Sequence, residues 1–435
     1  MEKITLQQAF AHLEQMQKSY SLWKDVPLQK RIDIVLEIKN KLLTNTELYA
    51  RAVTEDMNKP IAQSIDEVKK CAYLCEYYAQ NAEAFLTPQH IKTKWTESYV
   101  VFEPMGVLLG VMPWNFPLWQ VFRFVIPNLI LGNLFVVKHA SNTPKSAELL
   151  ESIFNSQTID YPLYKNLPLD VKFVSDIIAH KHIKGVSLTG SDAAGRAVAQ
   201  CAGQNLKKTV LELGGNSAFI ICEDADLDLV LPAALNARMR NAGQSCIAAK
   251  RFLVHNRLKD VFLKRYQSEI EKLKAGDKFD YTTEISEMAR EDLAVELEKM
   301  VNESIAKGAK LICGGKRKGA FFQPTLLSDV TPEMPVFTEE TFGPVAVVTA
   351  FDSFEEAVAL SNQSEFGLGV CIFSKNTDFI KSQVHHFEEG AVYINEMLIS
   401  DPHLPFGGVK NSGYGRELSQ FGLYEFANIK TIIVK

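Results

Sequence analysis

Four short stretches of this sequence join residue types that can do chemistry to glycines and small polar neighbours that would leave them reachable. Asn241-Ala242-Gly243-Gln244-Ser245-Cys246 sets a thiol, a strong nucleophile once ionised, just after a glycine. Glu212-Leu213-Gly214-Gly215-Asn216 sets a carboxylate, able to take a proton, ahead of two glycines. Pro113-Trp114-Asn115-Phe116-Pro117 holds an amide donor between prolines, and Glu339-Glu340-Thr341-Phe342-Gly343-Pro344 joins acids to an aromatic ring. These are the tools of a hydrolytic or redox enzyme. Taken singly, each has an ordinary reading: a lone cysteine is most often a core thiol, and a Glu before Gly-Gly a solvated turn residue.

Such groups act together only on a frame that brings distant segments to one cleft. From residue 1 to about 85 the apolar residues recur at helical spacing, with Ile32, Val35, Leu36, Leu42 and Leu43 as one stripe and Lys30, Arg31, Lys39 and Lys41 around the other side. Lys92 to Pro104 is β-branched and aromatic without a helical period, which predicts extended strands on an exposed arm. From Gly106 to about Ile221 the runs GVLLGVM, NLFVVK, VKFV, IKGVSL, KTVLEL and SAFII alternate with segments long enough for helices. That alternation is the mark of a parallel sheet covered on both faces. It restarts near residue 215: a helix over Leu227 to Asn241, the strand RFLVH, a charged helix over 257 to 274, then PVAVVTAF, VCIFS and AVYIN as strands. Residues 425 to 435 read as a last strand. The fold class is α/β, and because no Pro, Gly or Ser-rich linker divides the halves, they are expected to pack around a shared cleft. In such folds ligands sit beyond the carboxyl ends of the strands, where PWNFP follows GVLLGVM and ELGGN follows KTVLEL.

Composition narrows the function. The 435 residues are 46% apolar and 23% charged, an ordinary globular profile that predicts two or three domains. Forty-seven Lys and Arg against 52 Asp and Glu leave a net charge of -5, so no global basic field exists to hold nucleic acid or an anionic membrane. The longest uncharged apolar run, Phe124 to Val137, has 14 residues broken by Pro127, Asn128, Gly132 and Asn133, too short to span a bilayer. MEKITLQQAF lacks the form of a signal peptide, so a cytoplasmic protein is expected. The seven cysteines are odd in number and thinly spread, unlike a disulfide scaffold. Cys71 with Cys75 and His180 with His182 form close pairs, but neither has a second pair at zinc-like spacing, and no metal is expected.

Taken together and in order, PWNFP, LELGG, GQSC, EETFGP and the PFGGVKNSGYGRE of residues 405–417 resemble the aldehyde dehydrogenase superfamily over almost the whole chain. The resemblance implies two doubly wound parallel-sheet domains and a small β oligomerisation arm. The dinucleotide-binding domain would take residues 1–86 and 105–214, the catalytic domain 215–419, and the arm 87–104 and 420–435. Edges of that arm would be satisfied by another subunit, as a homodimer or homotetramer. The chain opens almost directly on its first helix, without the short extended segment usual in the family, a difference that concerns the edge of the cofactor domain and the oligomer surface.

The resemblance also assigns roles. Cys246 is the thiolate that attacks the aldehyde carbon, and the side-chain amide of Asn115 with the backbone N–H of Cys246 steadies the resulting oxyanion. Glu212 is the base for hydrolysis of the thioester, with Glu417 an accessory carboxylate. No Gly-x-Gly-x-x-Gly follows a predicted strand, yet Thr189-Gly190-Ser191 opens a helix whose free N–H groups suit a diphosphate. Val111, Met112, Trp114, Gly190, Ser191 and Leu213 fall at family cofactor positions, Glu340 at the nicotinamide ribose and Phe342 near the ring. In Lys138-His139-Ala140-Ser141 the fourth residue replaces a glutamate common in NAD-preferring relatives. A glutamate would repel the extra phosphate of NADP, whereas Ser141 and Lys138 can hold it, so NADP or NAD is the expected cofactor, with NADP accepted. Ser141 has an alternative role as the cap of the next helix through Ser-Asn-Thr-Pro.

Arg123, Arg240 and Ser400 match the positions that bind the substrate carboxylate in succinic semialdehyde dehydrogenases. Two guanidinium groups suit a carboxylate, so the expected substrate is a small aldehyde with a distal carboxylate. The alternatives are arginines paired with surface acids, hence glutarate semialdehyde or small aliphatic aldehydes as substrates, or a catalytically idle structural or binding member. Trp119, Phe122 and Phe124 are either apolar walls or core. Ala248, two residues after Cys246, excludes a disulfide switch with an adjacent cysteine.

Overall fold

The computed structural model describes residues 2–155 and 158–435, and four helices precede its first sheet: Leu6–Trp23, Leu28–Thr44, Thr46–Met57 and Ile61–Leu86. Thr5 starts the first with a capping box, its hydroxyl accepting from the Gln8 N–H while the Gln8 side chain accepts from the Thr5 N–H. In the second, the buried stripe is Ile34, Val35, Ile38 and Leu42, so Val35 and Leu42 of the expected stripe are buried while Ile32 and Leu36 are half-buried. Ile34, Ile38 and Leu42 recur every four residues and share one face, which turns Leu43 outward, 48% exposed. The long fourth helix packs along the second and third and then meets Trp119–Leu131, the helix that follows PWNFP.

Those helices and the ones that follow cover a six-stranded sheet in the order Gly413–Tyr414, Lys208–Glu212, Ile183–Thr189, Val107–Met112, Leu134–His139, Tyr164–Asn166. All pairings are parallel except that of Gly413–Tyr414. The chain starts the sheet at Val107–Met112, builds outward to one side, then returns to build on the other. The order therefore switches beside Val107–Met112, the place where open α/β sheets leave a crevice for a ligand. Register aligns Met112 with His139 and Thr189 with Glu212, so the expected cofactor and base positions lie along one edge.

A second sheet has seven strands in the order Lys310–Cys313, Thr325–Ser328, Val345–Phe351, Arg251–His255, Ala218–Ile221, Val370–Phe373, Val392–Ile394, parallel but for the first. SAFII, which closes the first series in the sequence, lies inside this second sheet. Gln89–His90, Glu97–Pro104 and Ala427–Val434 form the small antiparallel sheet of the arm, rooted where Phe102 stacks on Tyr424 with ring centroids 4.1 Å apart.

Two expectations are corrected. VKFV is no strand: Val171–Phe173 is a 3-10 turn and Val174–Ala179 a helix, because Val174, Ile177 and Ile178 repeat at helical rather than alternating spacing. Val171 itself is 74% exposed, and the edge strand is the short Tyr164–Asn166. Residues 406–427 also return to the first layer, where Phe406, Leu418, Leu423 and Phe426 join its core. Phe124 to Val137 is a buried helix end and a central strand, and no helix among the described residues is long and apolar enough to cross a membrane.

Candidate active site

The helix Leu227–Met239 ends at Arg240, and the chain then turns through three consecutive left-handed residues, Asn241, Ala242 and Gly243, to reach Cys246. An alanine in that conformation costs roughly 1–2 kcal/mol, so neighbours must hold the loop in shape. Buried Arg238 does so, donating to the carbonyls of Ala249 at 3.2 Å, Thr341 at 2.9 Å, Gly243 at 3.1 Å, and Gly343. Lys250, also buried, donates to the carbonyls of Ser245 at 2.8 Å and Cys246 at 2.7 Å and pairs with Glu340 at 2.8 Å. The glycines of ELGG make room beneath: a Cβ on Gly215 would lie 2.6 Å from the Cys246 carbonyl oxygen. Asn115 is tied to the same loop, its amide donating to Gln244 O at 3.2 Å while its own carbonyl accepts from Asn241 Nδ2 at 2.9 Å.

Burial pushes the Cys246 thiol above its ordinary range, opposed by the charges of Arg123 and Lys250. The free thiol is therefore the resting form at neutral pH. Glu212, at the carboxyl end of Lys208–Glu212, is driven well above the usual carboxylate range by burial and then by Glu417. Burial likewise raises Glu417, while Arg123, Nε to Oε2 2.8 Å, opposes the rise. A Cβ on Gly407 would meet Glu212 Oε1 at 2.8 Å, so the PFGG glycine leaves space for that carboxylate. Glu212 Oε1 and Arg123 Nη2 have no hydrogen-bond partner among the described residues, capacity that a reacting group and water can use.

A cavity of about 120 Å³ opens onto Cys246 and is lined also by Arg123, Arg240 and Ser400. The three expected carboxylate-binding residues thus share one space with the expected nucleophile. The ordinary reading of the arginines is half met: Arg123 is buried against Glu417 and the Phe406 ring, and the partly exposed Arg240 pairs with Asp66 at 3.1 Å. Trp119 lines the cavity, whereas Phe122 and Phe124 are core. The sequence reading missed Glu67 and Lys70 on helix Ile61–Leu86. Glu67, buried beside Lys59, accepts from the N–H groups of Leu118 and Trp119 at 3.0 Å each, and so caps the helix that carries Arg123. Lys70 reaches Ser400 Oγ at 2.7 Å across the cavity wall. The signal was present: Glu67 and Lys70 are charges set among the buried Ser64, Val68, Cys71 and Ala72.

The expected cofactor positions lie at the switch point or just beyond it. Val111 and Met112 end their strand, and Leu213 packs over Gly195, where a Cβ would lie 2.6 Å from the leucine. Gly190 leads into helix Asp192–Gln204, which Ser191 caps by accepting from the Ala194 N–H at 3.3 Å. A Cβ on Gly190 meets nothing nearer than 3.7 Å, so this approach is open. Trp114 and Phe342 face each other edge-on with centroids 5.6 Å apart. Glu340 accepts from the Gly215 N–H at 3.1 Å as well as pairing with Lys250. Lys138 is buried, and among the described residues its ammonium donates only to the carbonyl of His139, at 3.0 Å. Ser141 is exposed and caps nothing, because Thr143 occupies the cap position ahead of Pro144. His139 is a buried neutral imidazole, pushed down to about 3, with its ring nitrogen 2.7 Å from the Tyr164 hydroxyl.

Comparison with known proteins agrees with this geometry. The chain is 41% identical over 425 residues to the probable succinate-semialdehyde dehydrogenase (NADP(+)) of Synechocystis sp., covering 97% of this chain and 94% of the relative. It is 41% identical over 413 residues to the succinate semialdehyde dehydrogenase (NAD(P)+) of Escherichia coli, covering 94% and 89%. Among solved structures, the succinic semialdehyde dehydrogenase of Streptococcus pyogenes in complex with NADP+ superimposes with a TM-score of 0.97 at 36% identity, over 100% of this chain and 96% of that one. The aldehyde dehydrogenase family profile matches residues 1–432, and with the thiol loop, the buried carboxylates and the open strand ends in place, this chain belongs to the aldehyde dehydrogenase family.

Proposed function

We propose that this protein oxidises a semialdehyde, succinic semialdehyde foremost, to the corresponding acid, with NADP or NAD as cofactor. The observation that carries the reading is the single cavity lined by both Cys246 and the trio Arg123, Arg240 and Ser400. An aldehyde at the thiol and a carboxylate at the cations satisfy both ends of one short molecule. Relatives named for succinic semialdehyde at 41% identity support the same choice. Glutarate semialdehyde, longer by one methylene, is the alternative, since a pocket separates such homologues only weakly.

The chain's own residues have distinct tasks. Cys246, its proton lost to solvent, attacks the aldehyde carbon as a thiolate. The Asn115 amide and the Cys246 N–H hold the negative oxygen that forms, which they favour over the neutral carbonyl. The bound dinucleotide supplies the hydride acceptor. Glu212 then takes a proton from the water that hydrolyses the thioester, a task for which a raised carboxyl is well matched. Glu417 holds Arg123 in the cavity wall.

The residues at the strand ends fit the dinucleotide. Gly190 and Ser191 would take the diphosphate at a helix N-terminus, with Trp114 beside it, and Val111, Met112 and Leu213 would line the crevice. Glu340 and Phe342 would face the nicotinamide end. Lys138, without an ion-pair partner among the described residues, and the exposed Ser141 hydroxyl would hold the extra phosphate of NADP. The domain roles assigned to 1–86 with 105–214, to 215–419 less the returning stretch from 406, and to the arm belong to the same reading. The arm's exposed Ile429, Ile433 and Val434 suit an interface between copies, as a homodimer or homotetramer. Seven free thiols suit the cytoplasm.

The test is the initial rate of reduced-cofactor formation with succinic semialdehyde, glutarate semialdehyde and butanal, each with NADP and NAD. Succinic semialdehyde with NADP is expected to give the highest kcat/KM. Equal values with butanal would return the arginines to a structural role, and no rate with any aldehyde would favour an idle binding member.

A further inference from the structure

Resting on the carboxylate reading above, we propose that Lys70 is a third cation of the carboxylate subsite and that, with Trp119, it orients the Ser400 hydroxyl toward the bound carboxylate. Ser400 carries one O–H and two lone pairs. Its oxygen already accepts from two donors that cannot reverse their roles while Lys70 is charged: Lys70 Nζ at 2.7 Å and Trp119 Nε1 at 3.1 Å. The hydroxyl proton is left to donate, and no acceptor among the described residues receives it. Ser400 is 5% exposed and faces the cavity, so the acceptor it suits is the cavity's occupant.

Lys70 lacks an anionic partner. Its ammonium lies over the Trp119 ring, 4.2 Å from the centroid, and forms no ion pair among the described residues. Nearby acids are engaged elsewhere: Glu67 with Lys59 and two backbone N–H groups, Asp66 with Arg240, and Asp401 with His403. A half-buried cation with only a hydroxyl and a ring for company gains when a counter-ion arrives. A substrate carboxylate is that counter-ion, and a neutral aldehyde is not. The three cations also read charge rather than length, so Lys70 selects for the acid group.

This placement has a pH signature. Burial first, then the charges of Arg123 and Arg240, pull Lys70 down to about 8, with Glu67 and Cys71 opposing. Below that point the ammonium is present to meet a carboxylate, and above it the charge is lost. KM for a semialdehyde should therefore rise through the mildly alkaline range while KM for butanal does not follow.

The experiment compares wild type, Lys70→Met and Lys70→Arg by the ratio of kcat/KM for succinic semialdehyde to that for butanal, from neutral to alkaline pH. Methionine keeps an unbranched stem against Trp119. Lys70→Met is expected to lower the ratio about tenfold, mainly through KM, and to flatten its alkaline decline. Lys70→Arg should keep most of the ratio and also lose the decline, because guanidinium does not titrate there. A wild-type ratio well above one that Lys70→Met leaves unchanged overturns the role of Lys70 alone. A wild-type ratio near one overturns the carboxylate reading itself, and this inference with it. Should Lys70→Met fail to fold, Lys70→Arg decides: an alkaline decline identical to wild type overturns the proposal.

Discussion

Cys246, Glu212 and Asn115 were visible in the sequence as types in context, and the structure supplies what sequence cannot, their electrostatic state. Because burial raises the Cys246 thiol, the neutral form dominates below its pKa and the thiolate appears only above it. Alkylation of the free enzyme, with Cys246→Ala as the blank, should accelerate with pH to a midpoint above that of an ordinary cysteine. A plateau already reached at neutral pH would contradict this. Cys246→Ala should abolish turnover while dinucleotide binding, followed by fluorescence, persists. Glu212→Gln should give a burst of reduced cofactor and then a stall, since thioester formation precedes its task. Lys70 showed only as a charge among apolar helix positions, and Lys250 not at all, because nothing in a one-dimensional string shows that one ends in the cavity wall and the other against the Cys246 carbonyl.

At the scale of elements, the sequence revealed which loops carry chemistry but not how tightly they meet. The two glycines of ELGG read as a turn; in the fold, Gly215 is a steric requirement of the Cys246 loop. Gly215→Ala should therefore cut kcat by at least about tenfold while leaving the fold intact, the loop being displaced by a Cβ that would lie 2.6 Å from its backbone. Gly203, near the end of helix Asp192–Gln204, has nothing within 4 Å of an added Cβ. Gly203→Ala should raise stability by about 0.5–1 kcal/mol in urea unfolding without changing kcat. Arg123 joins helix Trp119–Leu131 to the returning stretch that carries Glu417, and Arg123→Ala would leave that carboxylate buried alone at a cost of about 3–5 kcal/mol. It is thus a poor probe of substrate binding, and the partly exposed Arg240 a better one. The misread VKFV segment shows the usual limit: three apolar residues around one lysine fit strand or helix, and only the neighbours at Ile177 and Ile178 decide.

For the whole molecule, alternating runs were enough to recover two parallel sheets and an arm, since each buried strand is a near-continuous apolar run. What they concealed was the return of residues 406–427 to the first layer, because that stretch is rich in glycine and its partners lie far back in the chain. The return places Glu417 beside Arg123 and closes one side of the cavity, so the site depends on both layers. The arm exposes Ile429 at 57% and Ile433 at 53%. Charging both, as Ile429→Asp with Ile433→Asp, should shift the light-scattering mass to that of a single chain, and an unchanged mass would remove the arm from the interface. The claim that binds these scales is that one cavity reads an aldehyde at Cys246 and a carboxylate at its cations. The most direct measurement is the ratio of kcat/KM for succinic semialdehyde to that for butanal, with NADP, in wild type beside Arg240→Ala. A wild-type ratio well above one that falls about tenfold in the variant is the predicted result, and a ratio near one in both would contradict it.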